Sequence, residues 1–280
     1  MNTTELNGIS INFEHRINPK ASGATVVLVH GFGASLESWN DIIDSLSARH
    51  SVLRFDLRGH GRSAKPIDQA YSLADQAQIL KSLISKLALG QVHLVGHSYG
   101  GGVVLMSYLS ELGNNRTTTA VRSLVLIDSA GYRQDFPFFI TAVEKPALQF
   151  LANLFPATIR ARVLLTKIMK VQAQVSDERI HRYAKYFDLP GSSHAIGEAA
   201  RALIPPDIDM WIAKYKEIAV PCQIIWGEED PAIPVEMGYR FAQDIAASKI
   251  SVLAHTGHIP HEERPDEVIS ILLKFFKSNR

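Results

Sequence analysis

The chain predicts an α/β fold, with a mostly parallel central sheet flanked by helices and one long helical insertion. Short β-branched runs alternate with longer stretches of helical apolar spacing, which is the rhythm of βαβ units. Most of these runs are apolar throughout, as strands covered on both faces must be. More than ninety residues separate Asp128 from Cys222, far more than one crossover needs, so something is inserted there.

The elements follow in order. Ile9, Ile11 and Phe13 alternate with polar residues and predict an antiparallel hairpin at one sheet edge. Buried strands are expected at 25–30 (TVVLVH), 51–56 (SVLRFD), 92–97 (VHLVGH), 124–128 (LVLID), 222–226 (CQIIW) and 250–254 (ISVLA). Helical spacing covers 38–47, 73–87, 99–109, 235–246 and 265–277. Between them, Leu148, Leu151 and Phe155, then Ile159, Val163 and Ile168, repeat at helical intervals, with breaks at Pro137, Pro146, Pro156, Pro190 and Pro205. This divides the chain into a core of residues 1–130 and 219–280 and a helical cap of residues 131–218.

Composition narrows the function. Of 280 residues 46% are hydrophobic and 20% charged, which is globular and excludes a disordered or collagenous chain. Lys plus Arg (29) nearly equals Asp plus Glu (28), so no net field recruits nucleic acid or an anionic membrane. Cys222 is the single cysteine, which excludes an intrachain disulfide and a thiolate metal cage. No apolar run approaches membrane-spanning length and the opening MNTTELNGIS lacks the pattern of a secretory signal, so a soluble, cytoplasmic protein is expected.

The strongest local signal is Gly96-His97-Ser98-Tyr99-Gly100, a G-x-S-x-G pattern between an expected strand and an expected helix. A turn tight enough to project Ser98 crowds the backbone on both sides, which calls for residues without side chains two before and two after it. A serine hydroxyl is a weak nucleophile and needs a base, and the base needs an orienting carboxylate. His258, in TGHIP just after the last expected strand, is the first choice for the base, with His255 and His261 as rivals. Asp230, after WGEE, is the first choice for the acid, with Glu228 and Glu229 as rivals. Upstream, His30-Gly31-Phe32-Gly33 ends the first buried strand, and the backbone N–H groups of Phe32 and Tyr99 are assigned as oxyanion donors. The same glycines also suit a plain turn into the next helix.

With these residues in place the chain resembles the α/β-hydrolase superfamily over essentially everything outside the cap. Five segments match in order: HGFGAS (30–35) with Trp39 behind it, DLRGHGRS (56–63), GHSYGG (96–101), WGEEDPAIP (226–234) and GHIPHEERP (257–265). The resemblance implies that Asp230 and His258 carry the acid and base roles, ahead of Glu228, Glu229, His255 and His261. It also implies that Asp56, Arg58, Gly59 and Gly61 shape a structural turn. Members that open epoxides or remove halide place an aspartate where this chain has Ser98, so ester hydrolysis through an acyl-enzyme is expected instead, with no metal and no organic cofactor. Two alternatives stand beside it. One is carbon–carbon hydrolysis of ring-opened aromatic diketones, whose enzymes usually carry GxGPGA and GNSxGG where this chain has HGFGAS and GHSYGG. The other is a non-catalytic ligand receptor or scaffold.

The cap opens with Phe136, Phe138, Phe139, Leu148, Phe150, Leu151, Leu154 and Phe155, which suits a lid over an ester with an apolar acyl or aryl group and equally suits a helical layer burying its own core. Arg160, Lys167 and Lys170 are expected on one helical face, solvated or facing a carboxylate.

Overall fold

The computed structural model describes residues 1–21, 23–112 and 120–279. Eight strands form one sheet: β1 (Asn2–Leu6), β2 (Ile9–Arg16), β3 (Thr25–Val29), β4 (Val52–Phe55), β5 (Gln91–His97), β6 (Ala120–Ile127), β7 (Cys222–Gly227) and β8 (Ser248–Leu253). Their spatial order is β1-β2-β4-β3-β5-β6-β7-β8. The expected hairpin is β1–β2, and β2 also runs antiparallel to β4, whereas every other neighbouring pair is parallel.

Five helices flank the sheet or follow its strands directly: α1 (Asn40–Ser47), α2 (Leu73–Lys86), α3 (Tyr99–Leu109), α10 (Val235–Asp244) and α12 (Pro265–Ser278). The one-turn α11 (Pro260–Glu263) precedes the last of these. Strand pleating sends alternate residues to opposite faces. Val27, Leu94, Leu126 and Ile224 join a core with α2, α3 and α10, while Val26, Val95, Val125 and Ile225 join another with α1 and α12. Each such side chain, wholly withdrawn from water, contributes about 1.5–3 kcal/mol of apolar transfer. The start of α2 is fixed by a capping box, in which the Ser72 hydroxyl accepts from Asp75 N–H and the Asp75 carboxylate accepts from Ser72 N–H.

Between β6 and β7 lie α4 (Phe138–Thr141), α5 (Pro146–Asn153), α6 (Ala157–Ile168), α7 (Asp177–Ala184), α8 (Ser192–Arg201) and α9 (Ile208–Ile212), with no strand among the described residues there. Two sequence expectations change. Helix α6 ends at Ile168, so Lys170 does not share its face: Lys170 pairs with Glu229 at 2.5 Å, while Arg160 pairs with Asp188. In the apolar stretch that opens this segment, Phe138, Phe150, Leu151, Leu154 and Phe155 stand exposed, and Phe136 packs against the sheet core. The Phe139 side chain lies outside the described set.

No helix among the described residues is long and apolar enough to cross a membrane.

Candidate active site

Four loops leave the carboxyl ends of neighbouring parallel strands and meet at one edge of the sheet. The strand ladder continues into them: Ser98 N–H donates to Ile127 C=O at 2.9 Å, Asp128 N–H to Ile225 C=O at 3.0 Å, and Glu228 N–H to Leu253 C=O at 3.0 Å. Ser98, Asp128, Asp230 and His258 are thereby brought side by side although up to 160 positions separate them in the chain.

Ser98 sits at the β5–α3 turn with φ 52° and ψ −120°, a left-handed conformation that costs a serine energy and that its surroundings must enforce. The enforcement is steric. A Cβ on Gly100 would stand 2.3 Å from Val29 O and 2.5 Å from His30 O, so only glycine lets α3 begin this close to β3. Gly31 shows the same closeness from the opposite side, since a Cβ there would lie 3.2 Å from Ser98 Cβ and 2.7 Å from His97 Nδ1. The His30–Gly33 loop therefore packs directly on the serine, and the Phe32 and Tyr99 rings meet edge to face at 6.4 Å.

His258 bridges the other two groups. Its Nε2 lies 2.9 Å from Ser98 Oγ and its Nδ1 lies 2.7 Å from Asp230 Oδ2. Asp230 Oδ1 accepts from the amides of Ala232 and Ile233 at 2.7 and 3.0 Å, so both carboxylate oxygens are engaged. These bonds define one tautomer: a proton on Nδ1 facing the carboxylate leaves Nε2 free to accept from the serine hydroxyl. The His258 main chain is held at both ends, its N–H donating to Ile168 C=O at 2.8 Å and its C=O lying 2.7 Å from His97 Nε2.

The rival residues lie elsewhere. Glu228 and Glu229 are exposed, and Glu229 pairs with His255 at 3.2 Å and with Lys170, all at the surface. His261 is fully buried, stacked on Trp39 at a 4.3 Å ring separation, and neither of its ring nitrogens has a hydrogen-bond partner among the described residues. Burial pushes its pKa down to about 3, which keeps it neutral. The Asp56 turn has a structural geometry: its carboxylate accepts from Leu36 N–H, Arg62 N–H and the Asn12 amide, and Gly59 and Gly61 take φ 83° and 51°. His30, buried with its pKa lowered to about 4, accepts from Leu57 N–H at 3.0 Å through Nε2 and faces Gly31 C=O through Nδ1. It bolts the glycine loop to that turn.

One neighbour escaped the sequence reading. Asp128, at the end of β6, places its carboxylate with Asp230 and His258 so that one ligand atom of each lies within 4.8 Å of the others. A metal could use that trio only by breaking the bonds that His258 and Asp230 already make. The signal was present as an acid closing an otherwise apolar strand, LVLID, where a carboxylate at a sheet's carboxyl edge faces the crevice.

Comparison with known proteins extends this picture. A family model described as the alpha/beta hydrolase family matches residues 26–271. The uncharacterised hydrolase YugF of Bacillus subtilis is 26% identical over 273 residues, covering 97% of this chain and 96% of that protein. The 2-hydroxy-6-oxo-6-(2'-aminophenyl)hexa-2,4-dienoic acid hydrolase of Metapseudomonas resinovorans is 28% identical over 279 residues, covering 94% of this chain and 87% of the other. The solved structure of the epoxide hydrolase CorEH, at 23% identity, superposes with a TM-score of 0.82 over 100% of this chain and 99% of that one, a likeness of fold.

Proposed function

Since this chain belongs to the alpha/beta hydrolase family and is a hydrolase, we propose that it is a serine hydrolase that cleaves carboxylic esters through an acyl-enzyme on Ser98. The observation that supports this is the continuous chain of hydrogen bonds from Ser98 Oγ through the His258 imidazole to Asp230. His258 takes the Ser98 proton as Oγ attacks the ester carbonyl, then gives it to the departing alkoxide. Asp230 holds the imidazolium that forms in between. Water repeats the cycle to release the acid, with the same histidine as base. The backbone N–H groups of Phe32 and Tyr99 receive the oxyanion; Tyr99 opens α3, where the helix dipole adds partial positive charge.

In this reading residues 131–218 form the cap above the serine, and the substrate is a small ester with an apolar acyl or aryl group. Carbon–carbon hydrolysis of a ring-opened diketone is the second reading, favoured by the likeness to the Metapseudomonas resinovorans dienoic acid hydrolase. A panel of nitrophenyl esters run beside such a diketone separates the two by relative kcat/KM.

The test of the nucleophile is Ser98→Ala. The wild-type protein should label with a fluorophosphonate and turn over esters, and the variant should lose labelling and at least about a thousandfold of turnover. Continued labelling of the variant, or undiminished turnover, removes Ser98 from the mechanism.

A further inference from the structure

Asp128 has no part in the reaction just described, yet its setting is unusual for a carboxylate. The residue is fully buried, and it takes φ 42° with its own N–H donating to Ile225 C=O. Its Oδ1 accepts from Gly227 N–H at 2.9 Å, while its Oδ2 is buried and receives no donor from any described residue. Asp230 stands beside it with all its visible bonds accepted, from Ala232, Ile233 and His258. Among the described residues neither carboxylate pairs with a lysine or arginine. Two bare carboxylates packed this closely in a buried site repel each other, and an unsatisfied charged oxygen there is costly. One proton shared between them removes both penalties, and geometry points to its host: Asp230 accepts three hydrogen bonds, whereas the Asp128 Oδ2 has no donor of its own among the described residues and is the oxygen left to carry the proton.

We propose that Asp128 is a positioning residue, a neutral carboxylic acid whose Oδ2 hydroxyl donates a hydrogen bond to the Asp230 carboxylate and so sets how strongly that carboxylate holds the His258 imidazolium. The proposal rests on the roles given to Asp230 and His258 above. Burial first, and then the negative charge of Asp230, hold the Asp128 carboxyl well above the usual carboxylate range. The groups that face it are Asp230 after β7, His258 after β8 and Glu263 on α11, of which both carboxylates push in the same direction. A buried acid kept neutral so that it can donate is a known way of adjusting a neighbouring charged group. Here the donated bond draws off part of the Asp230 charge, so the imidazolium is held less tightly and gives up its proton more readily.

The experiment compares Asp128→Asn with Asp128→Ala. Asparagine keeps an acceptor for Gly227 N–H and a neutral donor for Asp230, whereas alanine removes both. In alanine the undiluted Asp230 charge should move the acid limb of the kcat/KM profile upward by about one pH unit, and asparagine should return the limb to the wild-type position. Infrared difference spectra at neutral pH, wild type minus Asp128→Asn, should show the carbonyl stretch of a protonated carboxylic acid. The same band should appear in a Ser98→Ala background. If Asp128 is instead ionised, no acid band is lost and asparagine lowers the acid limb by removing a charge beside His258; either result overturns the proposal. The infrared measurement needs no turnover, so it decides the protonation of Asp128 even if ester hydrolysis is refuted.

Discussion

Glu263 offers the sharpest test of how the insertion between β6 and β7 supports the histidine loop. Its carboxylate, 3% exposed, accepts four backbone N–H groups. Oε1 takes Gly257 and Ile259 at 3.1 and 3.3 Å, on either side of His258, and Oε2 takes Lys170 and Val171, each at 2.8 Å, just past the end of α6. Glu263→Gln preserves shape and keeps one oxygen, but turns an NH₂ group toward two donors. Two charge-assisted hydrogen bonds are then lost, and at about 1.5–3 kcal/mol each the variant should unfold about 3–6 kcal/mol more easily. Against a total of roughly 5–15 kcal/mol this is a large fraction, readable as a lower urea midpoint at neutral pH. Glu267→Gln on the next helix is the control, because that side chain is 57% exposed and lies 4.0 Å from Arg264, and its stability should stay within about 0.5 kcal/mol of wild type. A loss below about 1 kcal/mol for Glu263→Gln would refute the clamp.

Two further outcomes follow from buried titratable groups. Cys222, 1% exposed with its thiol pushed up to about 12 by burial, should resist iodoacetamide in the native protein at pH 8 and react fully in urea; native labelling at the unfolded rate would contradict its burial. His30, His60 and His261 are buried neutral with pKa values lowered to about 4, 3 and 3, while the unfolded chain protonates near the ordinary 6.5. Between those limits only the unfolded chain gains protons, so stability present above pH 6.5 is lost as the pH falls, by about 2 kcal/mol per histidine at pH 5. Denaturant unfolding at pH 7, 6 and 5 checks this, and equal stability across that range would mean the three rings are not held neutral.

What could be read from the sequence was local and repetitive. The apolar runs at β3, β5, β6 and β7 announce a sheet buried on both faces, the alternation of Ile9, Ile11 and Phe13 announces the edge hairpin, and the glycines about Ser98 announce the turn. The position of His258 after the last strand and of Asp230 after the one before it was legible as well, since loops at the carboxyl ends of neighbouring parallel strands face one crevice. The remainder depends on pairings across long separations, which leave no periodic trace. Glu263 read as one more acid before a proline, although it ties together segments 93 positions apart. His261 and His258 are three positions apart and both buried; only the direction each faces distinguishes them, toward Trp39 for one and toward Ser98 for the other. Lys170 looked helical because the charge spacing continued past Ile168, where the chain instead turns to reach Glu229 and Glu263.

The insertion is unequal in its two parts, and the inequality has mechanical consequences. The end of α6 supplies the carbonyl that holds His258 N–H, and α7 is buried against the same region: Arg179 Nε lies 2.7 Å from Glu262 Oε2, Tyr183 OH donates to Glu262 Oε1 at 2.6 Å, and both Arg179 and Arg182 reach Asp41 on α1. Removing one partner from such a buried set leaves an uncompensated charge and costs about 3–5 kcal/mol. Displacing α6 and α7 therefore breaks this network, the four bonds of Glu263 and the bond that fixes the His258 backbone. Residues 138–155 take no part in those contacts. They are joined to α8 by bonds such as Gln149 Nε2 to Ser193 C=O, and several of their large apolar side chains already face water. The contacts that fix the His258 backbone and engage Glu263 therefore come from the second part of the insertion.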